Sequence, residues 1–406
     1  MSYRYKKWFF LTLVLILGLA ACAPNSSRAD SPANDPPESQ PVPEEASAVE
    51  AETSLPVERP PSGAEAQFST DFSKHSISYS EVLSGGPPKD GIPAIDDPSY
   101  VSIAEADAWI SGVEPIVFVQ VGDNVRAYPL QILTWHEIVN DVLGEKPLVV
   151  SFCPLCNTAI AFEREFDGQI LDFGTTGRLR YSNLIMYDRQ TETWWQQATG
   201  DGVAGEYTGE RLAFYPASII SWEDFKTEYP DGSVLSRDTG FNRSYGTNPY
   251  AGYDDINRTP FLYDGDYDDQ LPPMARVLTV ELNGETVAYT YNLLSDEIAV
   301  NDQVGGESIT VFWTKGTASA LDSPQISSGR DIGAAVAFSR EVAGQTLTFG
   351  LDNGDIRDLE TGSSWDIFGQ ATEGELAGES LTPVVAVNHF WFSWAAFQPE
   401  TRVYQP

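Results

Sequence analysis

Two alternating apolar runs joined by a short polar turn decide the fold: Ile116-Val117-Phe118-Val119-Gln120-Val121-Gly122-Asp123-Asn124-Val125-Arg126-Ala127-Tyr128. β-branched and aromatic residues at alternate positions are typical of strands, and the glycine and asparagine between the runs favour a tight reversal of the chain. The stretch therefore predicts an antiparallel β-hairpin.

A helix and a buried strand are predicted after this hairpin. Pro129 suits a first helical turn, and an apolar stripe from Leu130 to Val142 predicts a helix that carries residues 135–141. The apolar run 148–152 then predicts a strand that ends at a pair of cysteines.

The second half of the chain repeats this plan. Thr286–Tyr289 matches Val125–Tyr128 at an offset of 161 residues, and the matches keep their order towards the C-terminus. Other matched positions are Leu133 and Leu294, Asn140-Asp141 and Asn301-Asp302, Trp195 and Trp365, and Trp222 and Trp391. We therefore expect an α+β, β-rich fold made of two tandem copies of one module, packed about a pseudo-twofold axis.

Composition divides the chain further. Residues 23–67 contain few aromatics and many Pro, Ser, Ala and Glu residues, so they cannot bury enough surface to offset their ordering entropy. The expected segments are a lipoprotein signal peptide (1–21), a disordered acidic tether (22–67), a Gly/Pro-rich lead-in (68–114), the first module (115–235), a Tyr/Asp-rich linker (236–275) and the second module (276–406).

The N-terminal sequence predicts export. Basic residues from Arg4 to Lys7 precede an apolar run at 8–19, which is short for a membrane span, and small residues precede Cys22. We expect lipidation of Cys22, which would anchor the protein to a bacterial membrane of the cell envelope, on the extracytoplasmic side. An ordinary signal peptide cut near the same place is the alternative.

The net charge of the chain limits the classes of partner that it can bind. The chain has 59 acidic and 24 basic residues, a formal net charge of -35. Because nucleic acids and anionic membrane surfaces repel such a chain, we do not expect nucleic acid as a partner.

Cys153 and Cys156 form a C-x-x-C pair that is open to three uses. In an exported protein such a pair can be a structural disulfide, a redox dithiol or part of a metal site. Together with His136 and His389 it would make a Cys2His2 set for zinc or copper, with Met186 as a weak axial ligand for copper. Spacing alone does not choose between these uses.

The internal repeat provides a comparison. Thr314 and Thr317 stand opposite the two cysteines, and Glu297 stands opposite His136. The scaffold can therefore form without thiols at these positions, so chemistry explains the cysteine pair better than folding does.

Three motifs resemble a bacterial family of exported proteins of unknown function, DUF3179. They are Leu133-Thr134-Trp135-His136-Glu137-Ile138-Val139-Asn140-Asp141, Phe152-Cys153-Pro154-Leu155-Cys156-Asn157-Thr158-Ala159-Ile160-Ala161-Phe162 and Asn183-Leu184-Ile185-Met186-Tyr187-Asp188-Arg189-Gln190-Thr191. Some members of that family are similar in having selenocysteine at the Cys-Pro-Leu-Cys motif. The resemblance thus implies redox or soft-metal chemistry at Cys153 or Cys156.

The favoured hypothesis is a thiol redox or soft-metal protein with a redox or metal-delivery partner that the sequence does not name. Cys153 and Cys156 would be the reactive or ligating groups, assisted by His136, with Glu137 and Arg189 in support. The alternative is a non-catalytic binding module, for a glycan or a protein, in which the cysteines form a structural disulfide. A hydrolase ranks lowest, because no G-x-S-x-G or H-E-x-x-H pattern occurs.

Overall fold

The computed structural model describes residues 58–406, which lie within one compact unit. The predicted signal peptide, Cys22 and most of the predicted tether lie outside the described residues. Within 58–406, no helix is both long and apolar enough to span a membrane.

The lead-in and the first half are built mainly from short strands. The lead-in contains a 3-10 helix at Tyr79–Glu81, β1 (Val82–Ser84), β2 (Tyr100–Ser102) and α1 (Ile103–Ala106). The first half contains β3 (Pro115–Val121), β4 (Asn124–Pro129), α2 (Leu130–His136), β5 (Ile138–Leu143), β6 (Lys146–Cys153), β7 (Thr158–Glu163), β8 (Glu165–Phe166), β9 (Gln169–Ile170), β10 (Phe173–Arg180), β11 (Asn183–Asp188), β12 (Trp194–Gln196), β13 (Gly202–Ala204), β14 (Phe214–Tyr215), β15 (Ser218–Ser221), α3 (Trp222–Glu228) and β16 (Ser233–Leu235).

The second half contains a similar series of elements. They are β17 (Arg276–Leu282), β18 (Glu285–Thr290), α4 (Tyr291–Glu297), β19 (Ala299–Val304), β20 (Glu307–Thr314), a 3-10 helix at Ile326–Ser328, β21 (Ala334–Ser339), β22 (Glu341–Val342), β23 (Gln345–Thr346), β24 (Phe349–Asp352), β25 (Asp355–Asp358), β26 (Ser364–Trp365), β27 (Ala371–Glu373), β28 (Ala386–Phe390), α5 (Trp391–Ala395) and β29 (Arg402–Val403). The prediction of a β-rich α+β fold is confirmed.

The strands form three main sheets in each half. In the first half the strand orders are β15-β3-β4-β16-β2, β14-β7-β6-β5 and β1-β10-β11-β12-β13. In the second half they are β28-β17-β18-β29, β19-β20-β21 and β24-β25-β26-β27. The predicted hairpin is confirmed, since β3 and β4 pair antiparallel with Val117 opposite Tyr128.

The helix after the hairpin is shorter than predicted. It ends at His136, Glu137 adopts a left-handed conformation with φ 60, and Ile138 begins β5. The stripe that suggested a longer helix included Val142, which is 48% exposed and lies on the open face of β5. The prediction that residues 137–141 are helical was wrong, because β-branched Ile138 and Val139 pack in a strand.

Residues 58–67, which composition placed in the tether, pack against the folded chain. Ala64 is fully buried, Glu58 accepts a hydrogen bond from the backbone of Tyr79 (2.7 Å), and Arg178 donates to the carbonyl of Ser62 (2.5 Å). Buried Ala64 joins a cluster that includes Phe68 and Phe72. Low aromatic content within 58–67 hid this packing, since the aromatic partners come from neighbouring segments.

The two halves meet beside the cysteine pair. The backbone N–H of Phe390, at the end of β28, donates to the carbonyl of Cys156 (2.8 Å). A second contact joins Ala318 N–H to the carbonyl of Val113 (2.8 Å). The C-x-x-C loop therefore lies where both halves contribute structure.

Candidate functional site

The C-x-x-C segment is the tight connection between two paired strands. Cys153 ends β6 and lies opposite Thr158, which begins β7. Within the connection, Cys156 N–H donates to the carbonyl of Cys153 (3.2 Å), and Asn157 has φ 52. Strand pairing on both sides therefore fixes where the two sulfurs lie.

Both cysteines are free thiols in an apolar cluster. Cys153 is 2% exposed and Cys156 is fully buried. Neighbours in the cluster are Ile138, Val149, Leu184, Met186, Trp195 and Val387. Burial raises the pKa of the Cys153 thiol well above its usual value, and a hydrogen bond with Cys156 and the charges of Cys156 and Glu137 act in the same direction. At neutral pH the Cys153 thiol is therefore protonated at rest.

A strained turn closes one side of the thiol pair. Tyr181 and Ser182 connect β10 to β11, and both have positive φ, at 50 and 67. Asparagine and glycine are the usual residues in such a turn, so a Tyr-Ser pair stores strain there. Ser182 is fully buried, and its carbonyl accepts a hydrogen bond from the Sγ of Cys153 at 3.8 Å.

Glu137 adds a carboxyl group to this apolar environment. Its side chain is 8% exposed, and burial raises its pKa to about 8. The charge of Glu137 also contributes to the raised pKa of Cys153, so an ionised Glu137 opposes ionisation of the thiol. Such a carboxyl group is mostly protonated at neutral pH, and its ionised form, which becomes populated as pH approaches 8, can accept a proton from a thiol.

Tyrosines of the linker cover the site. Burial and then the charges of Glu137 and Cys153 raise the pKa of Tyr250. Burial also raises the pKa of Tyr253, and the charges of both cysteines act in the same direction. The hydroxyl of Tyr253 accepts a hydrogen bond from Phe261 N–H (3.1 Å), and the carbonyl of Phe261 accepts from Ser182 Oγ (2.6 Å). The linker is thus tied to the turn that contacts Cys153.

His136 holds the linker and the lead-in rather than a sulfur atom. Its Nδ1 bonds to the carbonyl of Pro93 (2.8 Å), and its Nε2 bonds to the hydroxyl of Tyr245 (2.7 Å). Burial lowers the pKa of His136, which favours the neutral ring. Both ring nitrogens are therefore occupied away from the thiols.

His389 contacts the strand that follows the cysteine pair. Its Nδ1 bonds to Thr158 Oγ1 (2.8 Å), while the buried Nε2 has no hydrogen-bond partner among residues 58–406. Burial lowers the pKa of His389 to about 3, so the ring is neutral. The second half therefore places a histidine beside the motif, in contact with Thr158.

Arg189 lies in a separate network. It forms ion pairs with Asp90 (3.1 Å) and Asp96 (3.0 Å) of the lead-in and does not hydrogen-bond to either thiol within the described structure. Met186, by contrast, lies in the same apolar cluster as the cysteines.

The predicted four-ligand metal arrangement is not found. Within residues 58–406, no group of three or more His, Cys, Asp or Glu side chains is placed to hold a metal ion. His136 uses both ring nitrogens elsewhere, and His389 does not form a ligand group with the thiols among the described residues, so the third and fourth ligands of a usual zinc site are missing. The residues present therefore do not fit zinc or copper bound by His136, Cys153, Cys156 and His389.

Comparison with known proteins adds one finding. The family model described as "Protein of unknown function (DUF3179)" matches residues 89–401. The chain belongs to this family. The DUF3179 match spans the thiol pair, Glu137, the linker and most of both halves, so the whole candidate site lies within the family's domain. No curated protein and no solved structure matches the chain.

Sequence patterns missed Ser182 and the linker tyrosines. Ser182 lies in the turn between β10 and β11, and nothing in the sequence predicted that its carbonyl contacts Cys153. The high tyrosine content of 236–275 was the available signal for Tyr250 and Tyr253. Only the folded chain shows that this segment lies near the thiols.

Proposed function

We propose that Cys153 and Cys156 form a redox dithiol that exchanges with disulfide-bearing substrates on the extracytoplasmic side of a bacterial membrane. The carrying observation is the pair of adjacent free thiols in an apolar environment, where the charge of Glu137 acts on Cys153. The corresponding positions of the second half hold Thr314, Thr317 and Ile298, so the same series of elements forms there without thiols or a carboxyl group.

The exchange proceeds in two balanced steps. One thiol of the pair loses its proton, and its thiolate attacks a sulfur of the substrate disulfide, which breaks to give a mixed disulfide and a substrate thiolate. The second thiol then loses its proton and attacks the mixed disulfide, which forms the Cys153–Cys156 bond and releases the second substrate thiolate. Two electrons pass to the substrate, and its two thiolates take up the two protons.

Glu137 is the proton acceptor for the first step in this proposal. The charge of its carboxylate opposes formation of a thiolate beside it, so transfer of the thiol proton to the carboxylate avoids two negative charges in one apolar cluster. Exchange is expected to accelerate as pH rises through about 8, where Glu137 ionises.

His136 acts as a positioning residue. It joins the lead-in at Pro93 to the linker at Tyr245, and both segments lie over the end of α2. Loss of the imidazole would loosen the cover of the site without removing a group that contacts sulfur. This differs from the direct role in catalysis that the sequence predicted.

The direct test is redox titration of the full chain in glutathione buffers, with the disulfide quantified by alkylation and mass. We expect a reversible two-electron transition that requires both Cys153 and Cys156. Thiols that remain reduced under every glutathione ratio, in a chain that stays folded, would exclude this function.

An ancestral duplication is part of the proposal. Five successive elements, β3 to β6 with α2, have the same lengths as β17 to β20 with α4, at the same offset of 161 residues. The modules would be 115–235 and 276–406, with 236–275 as linker, packed about a pseudo-twofold axis. The lipid anchor at Cys22, with a tether that leads from it to the packed residues 58–67, remains a prediction that acyl-chain labelling of the wild type against Cys22→Ala can test.

A second candidate function rests on a separate cleft. A cavity of about 700 Å³ between the halves is lined by Phe118, Tyr229 and Phe368, with the amides of Gln120 and Gln370. Aromatic rings with nearby amides suit a neutral oligosaccharide, which would make the protein a binding module. Calorimetry with oligosaccharides on wild type and Phe118→Ala tests this function. Binding that survives alkylation of both cysteines would favour it.

A further inference from the structure

The thiols are covered by protein, so a substrate must first meet the surface that covers them. Cys153 is 2% exposed and Cys156 is fully buried. One covering element begins at Ser182, whose carbonyl accepts from Cys153 Sγ and whose Oγ donates to the carbonyl of Phe261. Phe261 is thus two hydrogen bonds away from a reactive sulfur.

The outer side of this cover is an aromatic surface. Phe261 is 56% exposed and Tyr267 is 48% exposed, both high values for large apolar side chains. Tyr267 stacks on Tyr263 at 5.0 Å between ring centroids, and Tyr263 also contacts Tyr181, the residue beside Ser182. The rings therefore continue from the exposed surface to the turn at the thiols.

The charged side chains between Arg258 and Arg276 all have one sign. Residues 259–275 contain four aspartates and no lysine or arginine. Asp264, Asp266 and Asp269 are exposed, and the charges of the first two act on the hydroxyl of Tyr263. A polypeptide with Lys or Arg side chains complements such a surface, and an acidic one is repelled.

We infer that the surface from Phe261 to Asp269 docks a basic polypeptide that carries the disulfide exchanged with Cys153 and Cys156. Docked on this surface, the substrate lies against the segment that must move to expose the thiols. The inference rests on the proposed dithiol function and adds the class of its substrate.

Three probes test it with the full chain. Two peptides of equal length, one rich in Lys and Arg and one rich in Asp and Glu, each carry a single cysteine as a mixed disulfide with 5-thio-2-nitrobenzoate. Hydroxyethyl disulfide is the small neutral probe. Exchange rates are measured at low and high salt by release of the chromophore or by mass.

We expect the basic peptide to react at least about tenfold faster than the acidic one at low salt, with the difference lost at high salt. The triple variant Asp264→Asn, Asp266→Asn, Asp269→Asn is expected to lose most of this preference. The matched control is Glu373→Gln, Glu375→Gln, Glu379→Gln, which removes three exposed charges from the second half. Phe261→Ser is expected to slow the basic peptide more than hydroxyethyl disulfide.

The outcomes separate the two proposals. If hydroxyethyl disulfide reacts while the two peptides react equally, the docking surface is refuted and the dithiol function stands. A preference lost equally in the control variant would also refute the surface. If none of the three probes reacts with the folded chain, the dithiol function fails, and the docking surface fails with it.

Discussion

Glu137 and Ile298 occupy the same place in the two halves of the chain. Each directly follows a seven-residue helix and has positive φ, 60 for Glu137 and 63 for Ile298. Each carbonyl accepts a hydrogen bond of 2.8 Å from a strand residue, Phe152 for Glu137 and Trp313 for Ile298. The backbone at this place is therefore structural, while the carboxyl side chain is particular to the half that carries the thiols.

The first prediction concerns Glu137→Gln. The pKa of Glu137 is raised to about 8, so the folded chain retains a proton that the unfolded chain releases near the usual value of 4.5. The resulting stability is fully present below pH 4.5 and is lost as pH rises through 8. Because glutamine mimics the protonated carboxyl, the variant should gain on the order of 3 kcal/mol relative to wild type between pH 5 and pH 8.

Urea unfolding at these two pH values measures this gain. The same substitution should slow disulfide exchange, since it removes the proton acceptor, and this rate loss separates a catalytic role from a structural one. An unchanged pH dependence of stability would show that Glu137 ionises normally.

The second prediction is that Cys153→Thr with Cys156→Thr leaves a folded chain. Thr314 and Thr317 already stand at the ends of the equivalent strand and loop, and Thr317 is fully buried. A loss of about 1–3 kcal/mol is expected, because hydroxyl groups replace thiols in an apolar cluster. Circular dichroism and urea unfolding check the fold, and redox titration should show no transition. A double variant that fails to fold would mean that the thiols have a structural role.

The sequence alone predicted much of the regular secondary structure, but it did not predict which segments lie over the thiols. Alternation in Ile116–Tyr128 predicted the hairpin correctly, because such a pattern depends on local packing. The sequence-based prediction failed at Glu137. The apolar stripe there fitted both a helix and a strand, and only the tertiary fold imposes the left-handed backbone conformation of this residue. The linker tyrosines and Ser182 reach the thiols through long-range packing, which no local pattern encodes.

The third prediction concerns Ser182→Ala. This variant loses the hydrogen bond from Ser182 Oγ to the carbonyl of Phe261 and keeps the carbonyl that contacts Cys153. A loss of about 1 kcal/mol in closing the cover should speed thiol labelling by roughly fivefold. Ser393→Ala is the control, since Ser393 Oγ is buried with no hydrogen-bond partner in the described chain. Equal labelling rates in both variants would show that the hydrogen bond between Ser182 and the linker does not control access to the thiols.

The fourth prediction compares two carboxylates. Asp141 accepts hydrogen bonds from Tyr128 (2.5 Å) and Arg126 (2.6 Å), and Asp302 accepts from Tyr289 (2.8 Å) and Arg402 (3.0 Å). The Arg126 side chain is 13% exposed and the Arg402 side chain is 41% exposed. Asp141→Asn should therefore destabilise by about 3 kcal/mol, and Asp302→Asn by about 1 kcal/mol. Urea unfolding of both variants measures the difference, and the reverse order would contradict it.

The fifth prediction concerns His389, whose pKa is lowered to about 3 from 6.5 by burial. Below pH 6.5 the unfolded chain binds a proton that the folded chain does not, so His389 makes the fold less stable as pH falls from 6.5 towards 3. Between pH 7.5 and pH 5 this effect amounts to about 2 kcal/mol. His389→Gln should abolish this loss of stability, because the side-chain amide can keep a hydrogen bond to Thr158 without titrating.

His75→Gln, at a half-buried histidine of the lead-in, is the control. Urea unfolding at both pH values should show a smaller acid loss in His389→Gln alone, and equal losses in the two variants would mean that His389 is accessible to protons in the folded chain.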